Sequence, residues 1–219
     1  MKRSQKNTGD VRQRSTNSSS RLGSPAMSSG RSQAPKLSDV QRMERAVAEF
    51  LEAAQLNTSD TEKTPGRVVK MWLEHLVDGY NRQPSDIIRK LSPTKARDLI
   101  VMRDIEVHSI CPHHLLPYDI IAHVAFLPDG YTAGFSRIAD LVESRAHRLL
   151  LLEDLIADVA DTLLTTLQAK GVAVRFDSRH GCMIYQGTPR RRTRVDATAM
   201  RGVFAHDKAL SARVQRVLE

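Results

Sequence analysis

The sequence predicts an α+β fold built on an antiparallel sheet, and two observations carry the prediction. Near Asp98 the spacing of apolar residues changes from a helical period to strict alternation. Beyond that point paired strands flank two consecutive helices in the order β-β-α-α-β-β, which argues against a doubly wound parallel sheet. A helical region precedes the sheet. The 219 residues, 41% of them hydrophobic, suffice for one well-filled core.

The first helix is predicted from Ser38. Ser38-Asp39-Val40-Gln41 has the spacing of a capping box, and Val40, Met43, Val47, Phe50, Leu51 and Ala54 recur at helical intervals. Thr64-Pro65 predicts a second helix, with Thr64 as its cap. Val68, Met71, Trp72, His75 and Leu76 form its apolar stripe, and Gly79 is its expected end. Leu99–Ile110 and Asp119–Leu127 read as strands joined through Cys-Pro-His-His. Phe135 to Leu150 and Glu153 to Lys170 read as helices, with Ser136 a cap and Gly171 a stop. Val172–Ser178 and Met183–Gln186 read as strands, and Thr193–Met200 adds to the last. The resulting division is a tail over 1–36, a helical region over 37–97, a catalytic domain over 98–205 and a helical tail over 206–219.

Charge is unevenly spread. The net charge is +8, but residues 1–36 hold eight basic residues against the single acid Asp10, which leaves +1 for the remainder. Nine serines and few large apolar residues mark that stretch as disordered, since it cannot bury enough surface to offset its chain entropy. Nucleic-acid contact by the tail is not expected, because no aromatic residue is interleaved to stack on bases. No apolar run reaches the length of a membrane span, and none resembles a secretory signal. Two cysteines are too few for a disulfide scaffold and fit a reducing compartment, hence a cytoplasmic location.

The densest group of metal-competent side chains is Cys111-Pro112-His113-His114, with His180-Gly181-Cys182 far along the chain. Cys111, His114 and Cys182 could hold Zn2+ and leave a fourth position open for water. His113 and His180 stand beside these ligands, where acid and base groups are needed. Taken singly, the same residues also read as a buried small hydrophobe and surface histidines. Both groups fall at strand ends, which the fold can bring together.

A family resemblance covers roughly residues 40–205. Cys111-Pro112-His113-His114-Leu115-Leu116-Pro117, Gly134-Phe135-Ser136-Arg137-Ile138, Leu152-Glu153-Asp154-Leu155 and Arg179-His180-Gly181-Cys182-Met183 together resemble the GTP cyclohydrolase I family. So do Thr64-Pro65-Gly66-Arg67-Val68 and Ala199-Met200-Arg201-Gly202-Val203-Phe204. The resemblance implies a tunnelling fold, an antiparallel four-stranded sheet backed by two helices. It also implies a homo-oligomer, a decamer of two pentamers, with active sites at subunit interfaces. The implied reaction opens the guanine imidazole ring of GTP at C8, releases formate and forms 7,8-dihydroneopterin triphosphate. Zinc would be held by Cys111, His114 and Cys182. His113 would protonate the ring nitrogen, with His180 and Ser136 assisting the ribose chemistry. Glu153 would accept from the guanine N1–H and 2-amino group, a pure acceptor facing two donors. Leu151 and Leu152 would belong to the substrate-binding residues, and Arg137, Arg67 and Gln186 would stand in the triphosphate region.

Departures from the family pattern cluster in that last region. Arg137 replaces a lysine, Asp140 an arginine and Gln186 another arginine, while Leu152 replaces a glutamine and Pro112 a polar residue. A triphosphate needs charge-assisted donors, so these changes also admit a cyclohydrolase acting on another guanine nucleotide. The run Arg190-Arg191-Arg192-Thr193-Arg194 offers compensating cations or a solvated loop. A further alternative is a non-catalytic oligomeric zinc protein with a nucleic-acid-binding tail. His113 and His180 count against it, because a structural metal site does not require them.

Overall fold

A computed structural model describes residues 35–186 and 192–219. The expectation of a disordered tail falls largely on residues 1–34, outside the described residues, as do Arg190 and Arg191 of the basic run.

Helix α1 spans Leu37–Ala53 and starts earlier than the spacing suggested. Lys36 is extended (ψ 157°) and precedes the first turn, so Ser38 lies inside the helix and no capping box forms. The carboxylate of Asp39 instead accepts from Arg42, at 3.3 Å. Helix α2, Thr64–Met71, begins at Thr64 itself with Pro65 in the first turn, where its missing N–H leaves nothing unpaired. It runs on through a π turn, Trp72–Leu76, closed by Val77 N–H to Trp72 O at 3.0 Å. Gly79 therefore does not end this helix. It lies in a tight turn, Asp78–Tyr80, and is needed for a close approach: a Cβ there would stand 2.1 Å from Ser144 O and 2.6 Å from His147 O. A short helix α3, Pro84–Ile87, follows.

The two-residue strands β1 (Ser92–Pro93) and β4 (Tyr131–Thr132) pair with each other. The main sheet contains β2 (Ile100–Ile110), β3 (Pro117–Leu127), β5 (Gly171–His180) and β6 (Val195–Gly202), in that spatial order and all antiparallel. Between β3 and β5 run α4, Phe135–Ala146, and α5, Leu152–Leu167. This is the predicted β-β-α-α-β-β order. Ile138, Leu141 and Val142 of α4 and Leu155, Val159 and Leu163 of α5 are buried in one cluster with Ile120, Ala122 and Val124 of β3 and Val172, Val174 and Phe176 of β5. The period of two thus commits one face of each strand to the helices.

Four further details differ from the sequence reading. Met183–Gln186 is not a strand: after His180 the chain enters a short helix α6, Gly181–Tyr185, and β6 alone supplies the fourth strand. Gly181 permits this turn, since a Cβ would meet Pro117 O at 2.6 Å. Helix α4 ends at Ala146, not Leu150, and Leu149 bridges to Ile110 instead. Gln168, at φ 51°, stops α5, while Gly171 opens β5 against the side chains of Val203 and Phe204. Ser136 lies within the first turn of α4, and Gly134 precedes that helix.

The C-terminal helices pack on the second face of the sheet. Helix α7 (Val203–His206) and helix α8 (Lys208–Leu218) bring Phe204, Val214 and Leu218 against Ala125 and Ala173. Elsewhere on the sheet Glu106, His108, Asp119, Ile121, Asp177, Arg179 and Arg194 line a cleft of about 470 Å³. No helix among the described residues is long and apolar enough to cross a membrane.

Candidate active site

Register places the candidate ligands. Ile110 pairs with Pro117, and Tyr118 pairs with His180, so the end of β2, the start of β3 and the end of β5 share one edge of the sheet. Cys111 follows β2 directly, and its loop is closed on itself by Cys111 N–H to Leu116 O (3.0 Å) and Leu115 N–H to Cys111 O (2.9 Å). Leu115 adopts φ 54° to make that turn, an uncommon conformation for a side chain of this size. Cys182 arrives in α6 one residue past Gly181.

The donor atoms of Cys111, His114 and Cys182 lie within 4.8 Å of one another. Cys111 Sγ and His114 Nδ1 are 3.7 Å apart. Sulfur and nitrogen ligands around one tetrahedral zinc stand about 3.6 Å apart, from bond lengths of about 2.3 and 2.05 Å. The donor set and its spacing therefore fit zinc. Both thiols are free, Cys111 buried and Cys182 half-buried, while His114 is exposed.

Two further imidazoles adjoin the ligand candidates in the chain, His113 before His114 and His180 two residues before Cys182. His113 is exposed, its ring edge-on to His114 with centroids 6.2 Å apart. His180, the last residue of β5, is stacked on Tyr118 at 4.6 Å with the ring planes 13° apart. Burial lowers the His180 pKa, and the nearby negative charge of Glu153 opposes that shift. Glu153 occupies the first turn of α5 and is exposed. Leu151 precedes that helix half-buried, and Leu152 is buried in the main core.

Other predicted residues lie elsewhere in the subunit. Ser136 and Arg137 are exposed at the start of α4, and Arg137 lines a separate cleft of about 270 Å³ with Arg89, Lys90 and Gly134. The Arg137 guanidinium stands 3.3 Å from the Asp140 carboxylate. Arg67 is exposed on α2, and Gln186 caps α6 with its N–H on Cys182 O at 3.1 Å. Arg194 pairs with Asp177 at 2.6 Å.

Three features escaped the sequence reading. Tyr118 is buried and donates its hydroxyl to Leu150 O at 2.9 Å, and burial pushes its pKa up to about 12. Ser178 lies fully buried beneath His180. Alternation along β3 and β5 would have placed both on the helix-facing side, but polar side chains at core positions carry no separate signal. The third feature joins distant segments: His147 Nδ1 lies 2.6 Å from Asp78 Oδ1, and its ring stands 4.5 Å from that of His108. Among the described residues the buried Nε2 atoms of both histidines have no hydrogen-bond partner.

These surroundings set a pH dependence. Burial, and next the adjacent His147, hold His108 below its ordinary value of 6.5; burial lowers His123 likewise. The folded chain thus binds these protons more weakly than the unfolded chain. Their contribution to stability is full above pH 6.5 and is lost as the pH falls below it. Calorimetry is expected to show Tm falling from pH 7.5 to 5.5, less steeply in a H108Q/H123Q variant. Equal slopes in the two proteins would contradict this.

Comparison with known proteins agrees with this geometry. The family model described as GTP cyclohydrolase I matches residues 43–219. The GTP cyclohydrolase 1 of Ralstonia nicotianae is 36% identical over 179 residues, covering 81% of this chain and 85% of that one. Those of Chromobacterium violaceum and Caldanaerobacter subterraneus subsp. tengcongensis are 34% and 33% identical, covering 83% and 82% of this chain and 89% and 97% of theirs. A match of this extent, running through both halves of the Cys-His-Cys cluster, leaves no ambiguity of kinship: the chain belongs to the GTP cyclohydrolase I family.

Proposed function

We propose that this chain hydrolyses the imidazole ring of GTP at C8, releasing formate and closing the remainder to 7,8-dihydroneopterin triphosphate. The observation that carries the reading is the Cys111–His114–Cys182 cluster with His113 and His180 beside it, inside the span matched by the family. Zinc held there supplies a Lewis acid that lowers the pKa of water toward neutrality and so makes hydrolysis of C8–N possible.

The chain's own residues do the rest. Glu153 accepts from N1–H and the 2-amino group of guanine and fixes the base in register. His113, exposed beside the cluster, donates the proton that the ring nitrogen takes up as the C8–N bond breaks. A second water then releases formate, and His180 with Ser136 serves the ribose opening and ring closure. Leu151 and Leu152 border the base. Arg137 and Arg67 are the cations available to the phosphates, with Gln186 an uncharged donor.

Ser136, Arg137 and Arg67 have no bond to the zinc cluster within the described subunit. This favours a site completed by a neighbouring copy. β2 and β6 are the outer strands of the sheet, and among the described residues only Leu149, bridged to Ile110 at the end of β2, pairs with an outer edge; this supports a ring-forming homo-oligomer, read here as a decamer of two pentamers. A cytoplasmic location accords with two thiols that must stay reduced to hold a metal.

A second reading rests on the Arg137–Asp140 pair: a guanidinium already engaged by a carboxylate offers less charge to a triphosphate. On that reading another guanine nucleotide is the substrate. Zinc-loaded protein incubated with GTP, GDP and GMP separates the two, formate and pterin fluorescence being followed. The first reading expects the highest kcat/KM with GTP; a preference for the mono- or diphosphate would establish the second.

A further inference from the structure

Ser178 and His180 lie two apart on β5 and share a face of the sheet. Ser178 Oγ is 3.0 Å from Val195 O and 3.2 Å from His180 Nε2. A hydroxyl carries one proton, and a carbonyl oxygen can only accept. The proton must therefore lie on the line to Val195 O; otherwise two lone pairs would face each other at 3.0 Å in a fully buried place. That leaves the Ser178 oxygen as an acceptor, and the group facing it has to be an N–H.

We infer that Ser178 is a positioning residue, which fixes neutral His180 as the Nε2–H tautomer and presents an unprotonated Nδ1 to the nucleotide.

The surroundings of the ring support this from two further sides. Tyr118 stacks on the imidazole at 4.6 Å and is itself anchored by its hydroxyl on Leu150 O, so the ring cannot turn over freely. Among the described residues His180 Nδ1 has no hydrogen-bond partner, and the side chain is half-buried, not buried. The lone pairs of the two ring nitrogens diverge, so anchoring Nε2 inside the sheet turns Nδ1 outward. His180 accordingly enters the reaction as a hydrogen-bond acceptor, a base before it is an acid. The inference rests on the reading of His180 as a group that faces the nucleotide.

The test uses zinc-loaded, full-length protein labelled with 15N-histidine, and its S178A variant, at a pH where imidazole is neutral. Solid-state 15N spectra report which nitrogen carries the proton, and H180Q identifies the His180 signals among the eight histidines. The expected result is Nε2–H in the parent and a mixture of tautomers in S178A. A fivefold to tenfold fall in kcat for GTP, about what one hydroxyl hydrogen bond is worth, should accompany it with KM and zinc content unchanged. An Nδ1–H tautomer in the parent, or an unaltered tautomer in S178A, overturns the inference. Full turnover by H180Q would instead overturn the catalytic reading of His180, and the spectra of the parent would still decide the role of Ser178.

Discussion

Cys182→Ala is expected to abolish formate release from GTP, lowering kcat by about a thousandfold or more while leaving the fold intact. The side chain is half-buried in the short helix α6, and its neighbour Gly181, not Cys182, makes the close backbone contact with Pro117. Removing Sγ therefore costs little packing. What it removes is one of three donors within 4.8 Å, leaving a thiolate and an imidazole, too few to hold zinc against solvent. Bound zinc is expected to fall from about one per subunit to a small fraction, with the far-ultraviolet circular dichroism of the parent. Retained zinc and turnover in this variant would remove Cys182 from the site.

Gly79→Ala carries the second large effect, and it acts on stability. A Cβ at this position would overlap two backbone carbonyls, Ser144 O at 2.1 Å and His147 O at 2.6 Å, neither of which can rotate away. The Arg148 guanidinium also bonds Gly79 O at 2.9 Å, and Asp78 next door holds His147 at 2.6 Å. Forcing this turn outward strains both contacts between the helical region and the segment that follows α4. The expected cost is about 3 kcal/mol or more. For a chain of this size that is a fall in Tm of about 6–12 °C. Calorimetry at fixed pH and zinc concentration measures it; a change below 2 °C, about 1 kcal/mol or less, would show that the turn yields easily.

The fold was legible where periodicity is strong and tertiary choice is small. Alternation in β2, β3 and β5 is the direct imprint of one face packed on α4 and α5, so those strands could be read to within two residues. Met183–Gln186 misled because four apolar or polar residues carry no period; the turn at Gly181, imposed by Pro117 O, decides for helix. Ser38 misled because the extended Lys36 starts the helix before the capping residue is reached. Gly79 was legible as special, but not as a contact, since the carbonyls it faces lie more than sixty positions away.

The candidate site divides in the same way. Cys111, His114 and Cys182 could be assembled from ligand chemistry and strand ends, and the fold brings them together. Tyr118 and Ser178 could not. Each looks like a core position until the register puts Tyr118 opposite His180, and Ser178 opposite Val195. Arg137 illustrates a third case: its cation is plain in the sequence, but its engagement by Asp140 needs the first turn of α4.

The central claim, hydrolytic opening of the guanine ring at C8, is tested most directly with GTP carrying a 14C label at that carbon. Zinc-loaded protein is predicted to release the label as formate, mole for mole with a fluorescent pterin triphosphate, and to lose this activity with a chelator and regain it with zinc. Label remaining in the nucleotide, with the metal bound at full occupancy and GTP, GDP and GMP each tried in excess, would contradict it.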